Sequence, residues 1–341
     1  MLLLEEFQRF IQDSKNGKRL TSANKRLSKG TIVQYEQVFK LLQEFQSLQE
    51  APILISVFQK KSLMDQKREQ KYWNKFLQQF NRFLYRKKKY YDGYASSVYK
   101  IIRTFFSYLW QVKALSPSLF YRMLKAPAEL GNAVVLSPER LRKLIGDLEF
   151  LNSLKPELKR VRDLFVVGCF SGLRFSDLMN LRHCHLRFQD NYATLVLPTQ
   201  KTGKQVTIPL PLPVLQILKS YKRIKGGFLL PRLSNTNFNI QIKQLIRSAG
   251  WDEVVPRYRH RQGRLHEVKK NGKEFRFSDH VTAHTMRRTA ITCLLMMGVD
   301  EYVVRNISGH ASSSKEFYKY VILAQSFLDS KVREAQLKLL Q

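Results

Sequence analysis

Leu164–Leu181, LFVVGCFSGLRFSDLMNL, is the stretch on which the reading of the fold turns. Leu164–Phe170 is an unbroken apolar run, too short to span a bilayer and suited to a helix buried in a core. Ser171-Gly172 interrupts it with a turn, and Arg174 opens the next helix at Phe175-Ser176-Asp177-Leu178. A guanidinium at a helix start, beside backbone N–H groups with no partner of their own, makes a ready anion site. Asp177, one turn on, is either the group that orients this arginine from behind or a plain helix-surface acid.

Upstream, Ser137-Pro138-Glu139 has a capping serine, a first-turn proline and an acid at the positive helix end. It predicts a helix over about 138–152, followed by one over 155–170. Ala114–Asn132, with Pro117, Pro127 and Gly131, reads as a linker. Before it, apolar residues recur at helical spacing in Tyr35, Val38, Phe39, Leu42 and Phe45, then in Trp73–Leu84 and Val98–Leu109. With an amphipathic start at residues 3–13, they predict a bundle of four or five helices.

Downstream, Tyr192–Leu197 and Gln205–Ile208 read as strands joined by a turn holding Lys201-Thr202-Gly203-Lys204. Helices follow near Pro213–Tyr221 and Asn239–Ala249. A basic hairpin is expected in Arg257–Phe277, turning at Asn271-Gly272, and helices run to the end. The fold class is therefore mainly α with a small antiparallel β-sheet. The expected domains are residues 1–125 and 126–341.

Charge narrows the partners. Lys and Arg outnumber Asp and Glu by 59 to 27, and residues 1–130 alone hold 24 against 10, so both parts are basic. Such a balance on two folded domains fits a clamp around a polyanion. The clusters Lys25-Arg26 and Arg86-Lys87-Lys88-Lys89 are the candidate nucleic-acid contacts of the first part. Cys169, Cys184 and Cys293 are scattered, without metal-ligand spacing, which suits a reducing cytoplasm. Neither a signal peptide nor a membrane span is expected.

Three further segments carry chemistry. His284-Thr285-Met286-Arg287 puts an imidazole and a guanidinium on one helix face. Ser308-Gly309-His310 falls in a turn, and Tyr318 and Tyr320 follow it. The ordered series resembles the phage-integrase, or tyrosine recombinase, family. Ser171–Leu181 resembles its first box, Gln200–Leu210 (QKTGKQVTIPL) its lysine hairpin, and Ala283–Thr292 with Ile307–Val321 its second box. The resemblance runs from about Ser137 to the C-terminus, and more weakly the N-terminal bundle resembles the family's SAM-like core-binding domain. It implies a mixed α/β catalytic domain.

The resemblance also implies roles. Arg174 and Arg287 would hold the non-bridging oxygens of a scissile phosphate with paired donors. Lys201 would protonate the departing 5′ oxygen, His284 would take the nucleophile's proton, and His310 would donate to the phosphate. The nucleophile is chosen between two tyrosines, because the family's usual position holds Lys319 here. Tyr318 and Tyr320 lie about 200° apart on a helix, so both cannot face one site, and Tyr320 is preferred.

Such chemistry requires neither ATP nor a metal, and no cofactor is expected. The implied partner is double-stranded DNA, bound at paired sites by a homotetramer coupled through the apolar pattern of Val321–Leu340. Accessory DNA-bending proteins are left open. The alternatives weighed are a type IB topoisomerase-like relaxing enzyme and a non-catalytic DNA-binding scaffold.

Overall fold

The computed structural model describes residues 1–341 apart from 22–23, 56–61, 112, 114–118, 128–132, 190–191, 201–202, 222–223, 312–313 and 340–341. The expected linker, Ala114–Asn132, falls largely outside the described residues, as does Leu340. The chain forms two compact units, one of Met1–Gly131 with Tyr258–Val268 and one of Asn132–Arg257 with Lys269–Gln341. It is mainly helical, with one three-stranded and one two-stranded antiparallel sheet. No helix among the described residues is long and apolar enough to cross a membrane.

The first unit is built on α1 (Leu3–Lys15), α2 (Lys29–Gln46), α3 (Leu63–Arg82) and α4 (Asp92–Gln111). Ser28 and Ser62 start α2 and α3 by accepting the backbone N–H of Thr31 and Asp65. Apolar faces at helical spacing then meet in an aromatic core, where Phe7, Phe10, Phe45, Phe80, Phe105 and Phe106 are almost wholly buried. A π-helical turn at Phe83–Lys87 extends α3 and buries the consecutive Phe83, Leu84 and Tyr85.

The last piece of this unit comes from far along the chain. Strands β4 (Arg257–Arg261) and β5 (Arg264–Val268) form a hairpin turning at Gln262-Gly263, whose φ values are 53° and 75°. The carboxylate of Asp92, fully buried, accepts the backbone N–H of Gln262 at 2.8 Å and of Gly263 at 2.9 Å. Arg261 donates to the Lys89 carbonyl at 2.9 Å and lies over the Tyr91 ring. This corrects the hairpin expected around Asn271-Gly272, where only one isolated bridge, Lys270 to Lys273, closes the turn.

In the second unit the expected long helix is two, α5 (Pro138–Gly146) and α6 (Leu148–Ser153), because Asp147 breaks the first and caps the second. Helix α7 (Pro156–Ser171) runs through the core with Val161, Leu164, Phe165, Val166 and Val167 fully buried. After the short α8 (Phe175–Leu178), strands β1 (Leu186–Gln189), β2 (Tyr192–Pro198) and β3 (Gln205–Leu210) form an antiparallel sheet; β1 was not anticipated. Helices α9 (Leu212–Ser220), α10 (Asn235–Ser248), α11 (Phe277–His280), α12 (Ala283–Met296), α13 (Glu301–Ser308) and α14 (Tyr318–Leu339) complete the unit.

Helices α7 and α12 touch at Gly168. A Cβ there would lie 2.3 Å from the Met286 sulfur and 2.9 Å from its Cβ. Gly168→Ala is expected to cost about 1–3 kcal/mol of stability through overpacking, read as a lower midpoint of thermal unfolding. An unchanged midpoint would show that α12 can yield.

Candidate active site

Arg174 is placed by the end of α7. Gly172 closes that helix with φ 63°, a left-handed cap that a residue with a Cβ adopts only with strain, and its N–H bonds back to Gly168. The chain then extends through Arg174, which stands just before α8. One guanidinium nitrogen of Arg174, Nη1, is buried with no hydrogen-bond partner.

His284 and Arg287 occupy the first turns of α12. That helix start is held by the Asn239 side chain of α10, whose Oδ1 accepts the Ala283 N–H at 2.8 Å, and by Thr285 Oγ1, which accepts the Thr282 N–H at 3.0 Å. Arg287 is 2% exposed and donates through Nη1 to the Gly172 carbonyl at 2.9 Å. The same turn therefore sets both arginines.

His310 follows the left-handed Gly309 cap of α13, and its N–H bonds to the Arg305 carbonyl at 2.9 Å. The Ser308 hydroxyl donates to the Val304 carbonyl at 2.7 Å and lies 2.8 Å from His310 Nδ1. With its one proton so used, the hydroxyl accepts from Nδ1–H. This leaves Nε2 to accept from Arg287 Nη2 at 3.1 Å.

Tyr320 lies in the first turn of α14, 6% exposed, with its hydroxyl 3.5 Å from His284 Nε2. Its ring packs near Phe317 and His310. Tyr318 turns away, 56% exposed, with the Arg305 guanidinium over its ring.

The structure thus brings together Arg174, His284, Arg287, His310 and Tyr320. Lys201 lies outside the described residues. Asp177, almost fully buried, accepts the Gln200 N–H on Oδ1 at 2.9 Å and so ties α8 to the chain just before Lys201. Its Oδ2 is buried without a partner. Sequence reasoning missed the Asn239 support, and it missed the Lys204–Asn306 hydrogen bond, 3.0 Å long, that joins the lysine hairpin to α13. Neither residue belongs to a pattern that singles it out.

Electrostatics set the character of the site. Burial, then the neighbouring Arg174, pushes the Arg287 guanidinium down to about 10. No carboxylate forms an ion pair with either arginine among the described residues. Two such cations side by side make a cradle that an anion would stabilise.

Burial, then Arg288, Arg287 and Arg174, pushes His284 down to about 4. One edge of this ring remains open to solvent, so the three guanidiniums carry much of the effect. Burial, then Arg287 and Arg174, pushes His310 down to about 3. Both imidazoles are neutral near pH 7.

The unfolded chain, with histidines at 6.5, binds protons that these two refuse when folded. Their stability contribution is complete above pH 6.5 and is lost as the pH falls through about 4 and then about 3. The thermal midpoint is expected to drop on acidification from pH 6.5, and His310→Gln to flatten that drop. Parallel curves for the two proteins would contradict it.

The candidate DNA contacts belong to the first unit. Lys25 and Arg26 are exposed before α2, and Arg86, Lys87 and Lys89 are exposed after α3. Lys88 instead forms an ion pair with Glu44. A cleft of about 510 Å³, which sequence reasoning missed, is lined by Lys18, Arg19, Lys100, Arg103, Thr104 and Gln111, among others. Four of these share one face of α4 at helical spacing, a signal hidden because only two of the four are charged.

Comparison with known proteins agrees with this layout. Residues 135–325 match the phage integrase family. The tyrosine recombinase XerA of Pyrococcus furiosus is 28% identical over 212 residues, covering 60% of this chain and 65% of that protein. A tyrosine recombinase of Pseudothermotoga lettingae is 27% identical over 231 residues, covering 66% and 70%. The chain thus spans just under two thirds of the Pyrococcus protein's length. Among solved structures, the Tn1549 transposon integrase in complex with a circular intermediate DNA aligns with TM-score 0.60 at 16% identity, covering 94% of each chain. The XerH site-specific recombinase bound to difH substrate aligns at 0.57 and 16%, covering 94% of this chain and 92% of that one. These likenesses show the fold.

Proposed function

Because the chain belongs to the phage integrase family, we propose that it is a site-specific tyrosine recombinase, cutting and rejoining double-stranded DNA through a 3′-phosphotyrosyl intermediate. One observation carries the reading. A buried, unpartnered nitrogen of Arg174 stands with the buried Arg287 in a site whose neutral His284 lies 3.5 Å from the Tyr320 hydroxyl.

In the proposed reaction the phosphate enters the Arg174–Arg287 cradle, where fixed donors oppose the charge growing on its non-bridging oxygens. Tyr320 Oη gives its proton to His284 and bonds to phosphorus. The bond from phosphorus to the 5′ oxygen breaks, and that oxygen takes a proton from Lys201, the acid the family resemblance assigns. His310 orders Arg287 and, with its proton on Nε2, donates to the same phosphate. Attack by the freed 5′-hydroxyl reverses the sequence, so the energy of the DNA bond is kept.

The first unit is proposed to bind DNA as a core-binding domain, with residues 1–125 and 126–341 as the functional division. The cleft on α4 supports this assignment. Arg103→Ala is expected to weaken binding to any duplex and to lower the salt slope by about one. A variant with unchanged affinity and slope would exclude the cleft from the interface. We further propose a tetramer on paired sites, aided by accessory DNA-bending proteins where the sites demand it, in the reducing cytoplasm that three free cysteines support.

The test uses nicked duplexes from both ends of the genetic element that encodes the protein, incubated in EDTA and probed for detergent-resistant adducts. Metal-free adducts at defined positions are expected. Their absence with folded protein would leave a DNA-binding scaffold, and relaxation of any supercoiled plasmid would point to a topoisomerase.

A further inference from the structure

Arg288 is the charge on α12 that this reaction leaves without a task. It stands four residues after His284, one turn along the same helix face, and is half-buried. Among the described residues it makes no hydrogen bond or ion pair. A desolvated, unpaired guanidinium is costly, so its place is best explained by an anion that forms nearby. The candidate anion is at hand: Tyr320 is buried where α14 packs on α12, and its hydroxyl faces His284. A negative charge on Tyr320 is what favours the charged form of Arg288, while burial opposes it.

On the reading of the site given above, we propose that Arg288 is a positioning residue for the nucleophile: a third guanidinium, separate from the Arg174–Arg287 cradle, that steadies Tyr320 as its proton passes to His284. The other charges facing this proton transfer are Arg287 on α12, Arg174 before α8, His310 after α13 and Glu316 ahead of α14. Glu316 is the acid among them, and Lys319 holds it at 2.7 Å. Arg288 therefore acts in two ways. It keeps His284 free of a solvent proton, ready to accept the phenol's, and it offsets the phenolate charge. No electron changes hands; one proton moves from oxygen to nitrogen.

The experiment is single-turnover adduct formation on a nicked duplex across pH, with wild type, Arg288→Lys and Arg288→Gln. Arg288→Gln is expected to be about tenfold slower at the acid end, one pKa unit of lost electrostatic support, and to regain most of its rate as the pH rises. Arg288→Lys keeps the charge and follows the wild-type profile. A uniform loss at every pH in both variants would overturn the proposal in favour of packing. Weaker DNA binding with a smaller salt slope and an unchanged pH profile would overturn it in favour of a phosphate contact. Should Arg288→Gln fail to fold, a wild-type rate and profile in Arg288→Ala or Arg288→Met would still refute the role. Wild type without adducts would remove the reading of the site itself, a different outcome from any of these.

Discussion

Tyr320→Phe is expected to bind DNA like the wild type and to form no covalent adduct at all. The hydroxyl is the only atom removed, and its single hydrogen bond is long, 3.5 Å to His284. The ring stays against Phe317 and His310, so the fold loses about 1 kcal/mol or less. What vanishes is the atom that must bond to phosphorus. Tyr318→Phe is the matched control. Its side chain is exposed and outside the cluster, so adduct formation is expected to stay within about twofold of wild type, as for surface substitutions. Adducts from Tyr320→Phe, or their loss in Tyr318→Phe, would move the nucleophile by two positions and the geometry of the site with it.

Arg174→Ala is expected to separate activity from stability. Removing one fixed donor from a charge-stabilising site costs about a hundredfold to a thousandfold in rate. The loss should appear in single-turnover cleavage, where turnover cannot mask it. The same change removes the cation that presses on Arg287, whose guanidinium then recovers toward its ordinary range. Thermal stability is thus expected to hold or rise while cleavage collapses. Arg174→Lys restores the charge without the planar fork and is expected to recover only part of the rate. Cleavage within tenfold of wild type in Arg174→Ala would show that the cradle does not hold the reacting phosphate.

The local patterns in the sequence were strong where a periodic face or a cap decides the structure. The apolar Leu164–Phe170 run became the buried centre of α7, and Ser137 opened α5 as its residue types require. The order of the motifs also grouped Arg174, His284, Arg287, His310 and Tyr320 before the structure brought them together. What stayed hidden depends on partners distant in sequence. Asn271-Gly272 has the composition of a hairpin turn and does take positive φ, yet the hairpin turns at Gln262-Gly263. The deciding group is Asp92, 170 residues away from Gln262, whose burial no local pattern announces. Asn239 at the start of α12 is invisible for the same reason.

That hairpin has a consequence for how the protein is made. The first unit is not complete when its N-terminal helices leave the ribosome, because Tyr258–Val268 belongs to it. At typical elongation rates the strands that satisfy Asp92 arrive on the order of ten seconds later. Until then its carboxylate lacks both backbone donors, and Tyr91 lacks the arginines that cover it. The nascent chain must therefore wait through the synthesis of most of the second unit before the first can close.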